Sequence, residues 1–496
     1  VLLKNKKEPT GIDGLDKVLG GGLPAHRLYV VEGIPGSGKT TFALQFLREG
    51  VRLGQRVLYV TLSETLEELS DVAVSHNWNL DGVDILELDS LSDRFEEDAD
   101  YTVFHPSDVE LEETVARIRA EVERLNPHRV ALDSVSELKI LSQTVARYRR
   151  EILGLKQFFA GRKCTVLVLD DCTTGDVEQQ LQSIAHGVLR MDRESREYGS
   201  TRRQIHVVKM RGVGFQDGRH DFVIKRGGLE IYPRLSASDT APVEHAGSAA
   251  SGSPQMDALL GGGLDRGSST LLIGPAGCGK TSLCSQYLMS ALQRGEHVVC
   301  YQFEENRQTF LHRSSGYGMD FEPYIASGKF DLIQVDLGNL SPGEFSSNVR
   351  NAVEERKASL IVIDSLNGYL NGMPSERFLL IHIRELLAYL AQKGVVTLMT
   401  LAQHGMVGSA MQSPVDVSFL ADTVILLRFF EATGQVRQAI SVVKKRRGAH
   451  ERTLREMKIG SSGVEIGEVL GHFEGVLTGV PRYRGKQEQL LGDHKD

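Results

Sequence analysis

Short, continuous apolar runs alternate along this chain with longer segments in which apolar residues recur at helical spacing, the pattern of a parallel sheet covered by helices. In the first half the runs fall at 27–31, 57–62, 129–134 and 165–169; in the second, runs at 298–303, 360–365 and 396–400 follow the same order. The order reflects a repeat. At an offset of 241 positions and without a gap, 10–23 lies over 251–264 and 55–58 over 296–299, so a whole domain is duplicated. Between the copies, 235–250 is too small and polar to build a core and reads as a linker. The expected organisation is a domain at 1–234, a second at 251–480, and a short polar tail at 481–496.

Bulk numbers agree with two α/β domains, because 496 residues exceed what one hydrophobic core usually supports. Composition is ordinary, with 41% hydrophobic and 25% charged residues, and no apolar run reaches membrane-spanning length. The first residues, Val1 to Lys7, lack the apolar core and cleavage site of a secretory leader; the missing Met is read as a trimmed terminus and the expected location is the cytoplasm. Five cysteines, without C-x-x-C spacing, point to neither a disulfide framework nor a zinc site. A net charge of −8 argues against a general nucleic-acid coat. His382, His404, His450 and His472 show no mutual ligand spacing.

The strongest chemistry lies in two glycine-rich loops, Gly33-Ile34-Pro35-Gly36-Ser37-Gly38-Lys39-Thr40 and Gly274-Pro275-Ala276-Gly277-Cys278-Gly279-Lys280-Thr281. Each fits G-x-x-x-x-G-K-[ST]: glycines let backbone N–H groups turn toward a polyphosphate, the lysine reaches the β/γ oxygens, and the threonine ligates Mg²⁺. Thr41 and Ser282, at the start of the helix that follows each loop, complete the expected ATP contacts. Cys278 reads as a small packed side chain. The strands at 57–62 and 298–303 end at Ser63-Glu64 and Glu304-Glu305, where a carboxylate can orient water or accept a hydroxyl proton during phosphoryl transfer. Asp133 and Asp364 each close an apolar strand on Asp-Ser and are assigned to Mg²⁺; Asp170-Asp171 ends a further strand, but its partner region has no acids. Late in each half, Lys209 and Arg211, then Lys444 and Arg446, could supply cations to phosphates across a subunit boundary.

Taken together, the duplication, the Gly-Gly-Gly-Leu stretches, the loops, Glu304-Glu305, 421–427 and 444–455 resemble the KaiC family of tandem RecA-type P-loop ATPases and autokinases. The resemblance covers nearly the whole chain. The wording of 207–232 and 365–370 is similar to that of KaiC homologues from non-photosynthetic bacteria more than to the cyanobacterial clock protein. The resemblance implies a homohexamer of two stacked rings with Mg-ATP at each subunit boundary, completed by Lys209, Arg211, Lys444 and Arg446 of a neighbour. It implies catalytic roles for Glu64, Glu304 and Glu305, with Glu304 the base for phosphorylation, and a KaiB-like partner. Two departures stand out. Ser63 replaces one acid of the first pair, and the family's Ser-Thr phosphorylation pair falls on Ser418-Phe419, leaving Ser418 as acceptor and Ser413 at a further hydroxyl position. The tail after Pro481 is shorter than the peptide on which a KaiA-type activator acts. Two other readings stay open: a nucleotide-gated scaffold with no kinase step, and a nucleic-acid motor. The acidic balance and 6% aromatic content weigh against the motor.

Overall fold

The computed structural model describes residues 6–88, 106–172, 177–195, 199–235, 245–336, 338–372, 378–403, 418–432, 434–476 and 482–484. It divides into two compact units, Val1–Arg234 and Leu235–Asp496.

The first unit is built on a nine-stranded sheet. In spatial order the strands are Gly228–Tyr232, His220–Lys225, Arg202–Met210, Gly187–Glu194, Leu28–Gly33, Thr165–Asp171, Arg129–Asp133, Val57–Thr61 and Val83–Glu87. The six strands from Gly187–Glu194 to Val83–Glu87 run parallel, and the remaining three add antiparallel pairs at one edge. Leu28–Gly33 lies in the middle, buried on both faces: Leu28 and Val30 enter one core cluster, Tyr29 and Val31 the other. Two-sided burial is why this strand is a continuous apolar run rather than an alternating one. The antiparallel strand Arg202–Met210, only partly buried, mixes polar and apolar residues instead.

The second unit repeats the order: Phe330–Gln334, His297–Gln302, Ala358–Asp364, Val396–Ala402, Ser269–Gly274, Thr423–Ala432, Gln435–Lys445, Arg455–Gly460 and Gly463–Val469. Its central strand, Ser269–Gly274, sits between Val396–Ala402 and Thr423–Ala432 in parallel register. Ser248–Ala249 pairs with Leu264–Asp265 and His245 bonds the carbonyl of Gln392 at 2.8 Å, so the second unit's packing begins within the stretch expected to be linker. Residues 236–244 of that stretch, and 485–496 of the expected tail, lie outside the described residues. No described helix is long and apolar enough to cross a membrane.

Candidate active sites

Each central strand delivers its loop onto a helix N-terminus. Helices Lys39–Arg52 and Lys280–Gln293 start directly after Gly38 (φ +104°) and Gly279 (φ +99°), which act as N-caps in the left-handed region. A Cβ on Gly38 would lie 2.8 Å from Ile224 Cδ1, and one on Gly279 2.5 Å from Ile459 Cδ1. The positive φ is what requires glycine at both positions; the isoleucine ends could shift aside for a Cβ, the backbone conformation could not. Ser37 and Cys278 are buried in the loop interior, and burial pushes the Cys278 thiol up, as expected of a packing residue.

In the first unit Lys39 Nζ bonds the loop carbonyls of Gly33 (2.8 Å) and Ile34 (3.3 Å) and pairs with Asp171 Oδ1 at 2.7 Å. Thr40 Oγ1 donates to Asp133 Oδ2 at 3.1 Å and stands 3.5 Å from Glu64 Oε1. Tyr59 OH, from the neighbouring strand, donates to the same Asp133 oxygen at 2.5 Å. Burial raises the Asp133 carboxyl despite these donors. Glu64 is pushed up to about 7, first by burial and then by the charge of Asp133, and its Oε2 is buried without a partner. Two desolvated carboxylates facing one hydroxyl form an arrangement whose repulsion a divalent cation would relieve. Thr41 Oγ1 shares a 3.3 Å hydrogen bond with His76 Nε2, which turns it away from solvent.

The second unit repeats the frame with different partners. Lys280 Nζ bonds the carbonyls of Gly274 (2.9 Å) and Pro275 (2.7 Å). Ala402 holds the register position of Asp171, and among the described residues Lys280 makes no ion pair. Asp364 accepts from Thr400 Oγ1 and, at 3.4 Å, from Gln302 Nε2. Glu304 accepts from Ser365 Oγ at 2.7 Å. Glu305 is gripped by Arg313, whose Nε and Nη2 lie 3.1 and 2.9 Å from its two oxygens. Gly277, Lys280, Thr281, Ser282, Glu304, Glu305 and Asp364 all face one cleft of about 520 Å³. The peptide bonds Asp133–Ser134 and Asp364–Ser365 are both cis.

Within each unit the late cations do not reach that unit's phosphate loop. Lys209 Nζ bonds the carbonyl of Gln182 and Arg211 that of Ser183 (2.8 Å), while the Arg211 amide bonds His186 O beside Leu28, at the start of the central strand. Lys444 Nζ bonds the carbonyls of Ser418 (2.9 Å) and Ala421 (2.8 Å), and Arg446 pairs with Asp422 at 3.1 Å. Lys209 stands opposite Val188 and Lys444 opposite Val424, the same register in both sheets. Ser418 opens a short 3₁₀ turn, Ser418–Leu420, next to Ser269, and Phe419 beside it is exposed. Ser413 and His404 lie outside the described residues.

A duplicated sheet whose two middle strands each end in a glycine-cradled lysine opposite Asp- and Glu-tipped strands is matched by one family description, ATPase: KaiC, over residues 8–236 and again over 249–470. The chain belongs to the KaiC family of ATPases. Similar proteins include the circadian clock oscillator protein KaiC of Thermostichus vulcanus, 29% identical over 96% of this chain and 92% of that protein. The circadian clock protein KaiC3 of Synechocystis is 27% identical over 97% and 96%, and the KaiC of Prochlorococcus marinus strain MIT 9313 is 26% identical over 96% and 95%.

Three contacts have no motif in the sequence to announce them: Asp171 is an acid at a strand end, Tyr59 is one residue of an apolar run, and Arg313 sits eight residues past Glu305. A strand-end acid and a hydroxyl inside a core strand were the available signals for the first two.

Proposed function

We propose that this KaiC-family ATPase works as a cytoplasmic homohexameric switch in which the first unit hydrolyses ATP and the second passes phosphate to Ser418, in a form that a KaiB-like partner reads. The observation that carries this reading is the spatial arrangement of each unit: lysine, Asp strand and Glu strand converge at one end of the sheet, while Lys209 and Arg211, or Lys444, Arg446 and Ser418, gather at the other. Ser269 and Gly274 bound the central strand, which at about 3.3 Å per residue spans roughly 16 Å. A nucleotide on Lys280 is therefore remote from the Ser418 of its own chain, and transfer to Ser418 needs the nucleotide of a second copy.

In the first unit the positive-φ cradle and Lys39 hold the polyphosphate, and Lys39 exchanges Asp171 for phosphate oxygens as ATP enters. Water attacks the γ-phosphorus as the bond to the β-bridging oxygen breaks; ADP leaves, and Glu64, whose carboxyl sits near neutrality, takes the water proton. A bound Mg²⁺ would neutralise phosphate charge, with Thr40 and Asp133 holding it in the first unit and Thr281 and Asp364 in the second. In the second unit Glu304 is the proton acceptor for a serine hydroxyl, and Lys444, already bonded to the Ser418 carbonyl, orders the acceptor turn. The wording of 207–232 and 365–370 favours kinship with KaiC homologues of non-photosynthetic bacteria.

Native mass spectrometry with and without Mg-ATP, followed by phosphopeptide mapping of the same sample, tests the proposal. A sixfold mass that requires nucleotide, with phosphate on Ser418, is the expected result. Phe419 cannot take phosphate, so a hexamer that turns over ATP without phosphate at Ser418 would leave the scaffold reading in its place.

A further inference from the structure

The two halves serve as internal controls for each other. Helices Leu66–Ser75 and Arg307–Gly316 have equal length, follow the Glu-bearing strand ends directly, and stand in the same 241-residue register. Arg313 occupies the position that Val72 holds in the first unit. Its fork takes both oxygens of Glu305, its Nη1 donates to Ser282 Oγ at 3.3 Å, and its guanidinium lies 5.3 Å over the Phe310 ring. Both members of the pair are about four-fifths covered, with side-chain exposures of 22% and 21%. Glu64, the counterpart of Glu305, makes no ion pair among the described residues. Glu304 has no acidic counterpart, since Ser63 stands there, and it bonds only the Ser365 hydroxyl among the described residues.

We propose that Arg313 is the positioning residue that separates the chemistry of the two sites: by engaging both oxygens of Glu305 it withdraws that carboxylate from water activation and leaves Glu304 as the second site's proton acceptor. The inference rests on the reading of both units as ATP sites. Hydrolysis requires a carboxylate oxygen to take a proton from water while the water oxygen bonds the γ-phosphorus and the β-bridging oxygen departs with ADP. A proton on Glu305 would cancel the negative charge that holds the Arg313 fork in a largely covered site. Glu304 surrenders nothing comparable, because its partner is a neutral hydroxyl. Arg313 is itself braced by Ser282 and Phe310, so the fork does not swing freely away. Valine at position 72 imposes no such restraint on Glu64.

The test uses the full chain carrying Glu64→Gln, so that remaining ATP turnover belongs to the second site. Adding Arg313→Val is expected to raise kcat about tenfold while KM stays within about twofold, a fraction of the roughly hundredfold or more that a positioned base supplies. Arg313→Lys, which keeps the charge, should hold the low parental rate, and Glu305→Gln on top of Arg313→Val should abolish the gain. A gain that survives Glu305→Gln, or an unchanged kcat in a folded Arg313→Val protein, overturns the inference; a purely structural clamp would lower the melting temperature and leave kcat alone. Should Arg313→Val fail to fold, the reciprocal change decides. In a chain carrying Glu304→Gln and Glu305→Gln, so that turnover belongs to the first site, Val72→Arg is expected to slow that site about tenfold and Val72→Gln to leave it near parental; equal rates for the two overturn it. If the unmodified chain turns over no ATP, the ATPase reading itself fails; turnover with a flat Arg313 series sinks only this inference.

Discussion

Glu64 is the residue whose environment matters most. Its folded carboxyl, pushed from 4.5 up to about 7 by burial and by Asp133, holds its proton more tightly than in the unfolded chain. Its contribution to stability is thus fully present below 4.5 and is lost as pH rises toward 7, since the fold must then bury a charge. On the proposed role of Glu64 as base, activity runs the other way, because only the ionised form accepts a proton. In a chain whose second site is silenced by Glu304→Gln with Glu305→Gln, ATP turnover is expected to fall as pH drops through about 7, and Glu64→Gln should remove both the rate and its pH dependence. A pH–rate profile between 5.5 and 8.5, about one unit and a half to either side, checks both; a flat profile would remove Glu64 as the base.

Single residues act here through the elements that carry them. The loop-to-helix junction works only if Gly279 keeps φ near +99° and Ile459 packs against its bare Cα. Gly279→Ala is expected to cost about 1–3 kcal/mol in chemical denaturation, from backbone strain, and to abolish binding of a fluorescent ADP analogue to the second site. Gly295→Ala is the matched control: φ is +82°, yet nothing lies within 4 Å of the added Cβ. It should lose stability on a similar scale while nucleotide still binds. Equal binding by the two variants would show that the cradle does not contact phosphate. A second element-level device is Arg129, wholly buried at the start of its strand, which bonds the carbonyls of Pro9 and Phe46 at 2.8 Å and pairs with Glu8, holding the short strand Lys7–Glu8 to the sheet.

For the whole molecule, the decisive feature is that each chain presents its phosphate loop and its late cations at opposite ends of one strand. On the proposed reading a single copy cannot complete its own site, and the late cations of a neighbouring copy would. Lys444→Ala with Arg446→Ala is expected to lower the ATP-dependent shift in native mass and any phosphate on Ser418, while nucleotide binding by Lys280 persists at about the parental affinity. Unchanged assembly and phosphorylation would sever these cations from the site. The same double change also frees the carbonyls of Ser418 and Ala421, so melting of the isolated variant should be recorded beside its mass.

The sequence by itself determined the duplication, the two loops and the strands that end in Asp133, Asp364, Glu64 and Glu305, because each is written in contiguous residues whose spacing and conformational demands are local. Strand edges were legible to within a few residues; the central strand expected at 27–31 continues to Gly33, since the loop's first glycine still pairs with both neighbours. Only the tertiary structure decided which partners meet across strands. Asp171 reaches Lys39 because Thr165–Asp171 lies beside Leu28–Gly33, and Tyr59 reaches Asp133 because Val57–Thr61 lies beside Arg129–Asp133. Arg313 reaches Glu305 because the chain turns at Asn306, whose side chain caps the helix that brings the guanidinium back. Charge pairing acts over a few ångströms in space and is blind to separation along the chain, so the difference between two nearly identical sites emerged only once the strands and helices were set side by side.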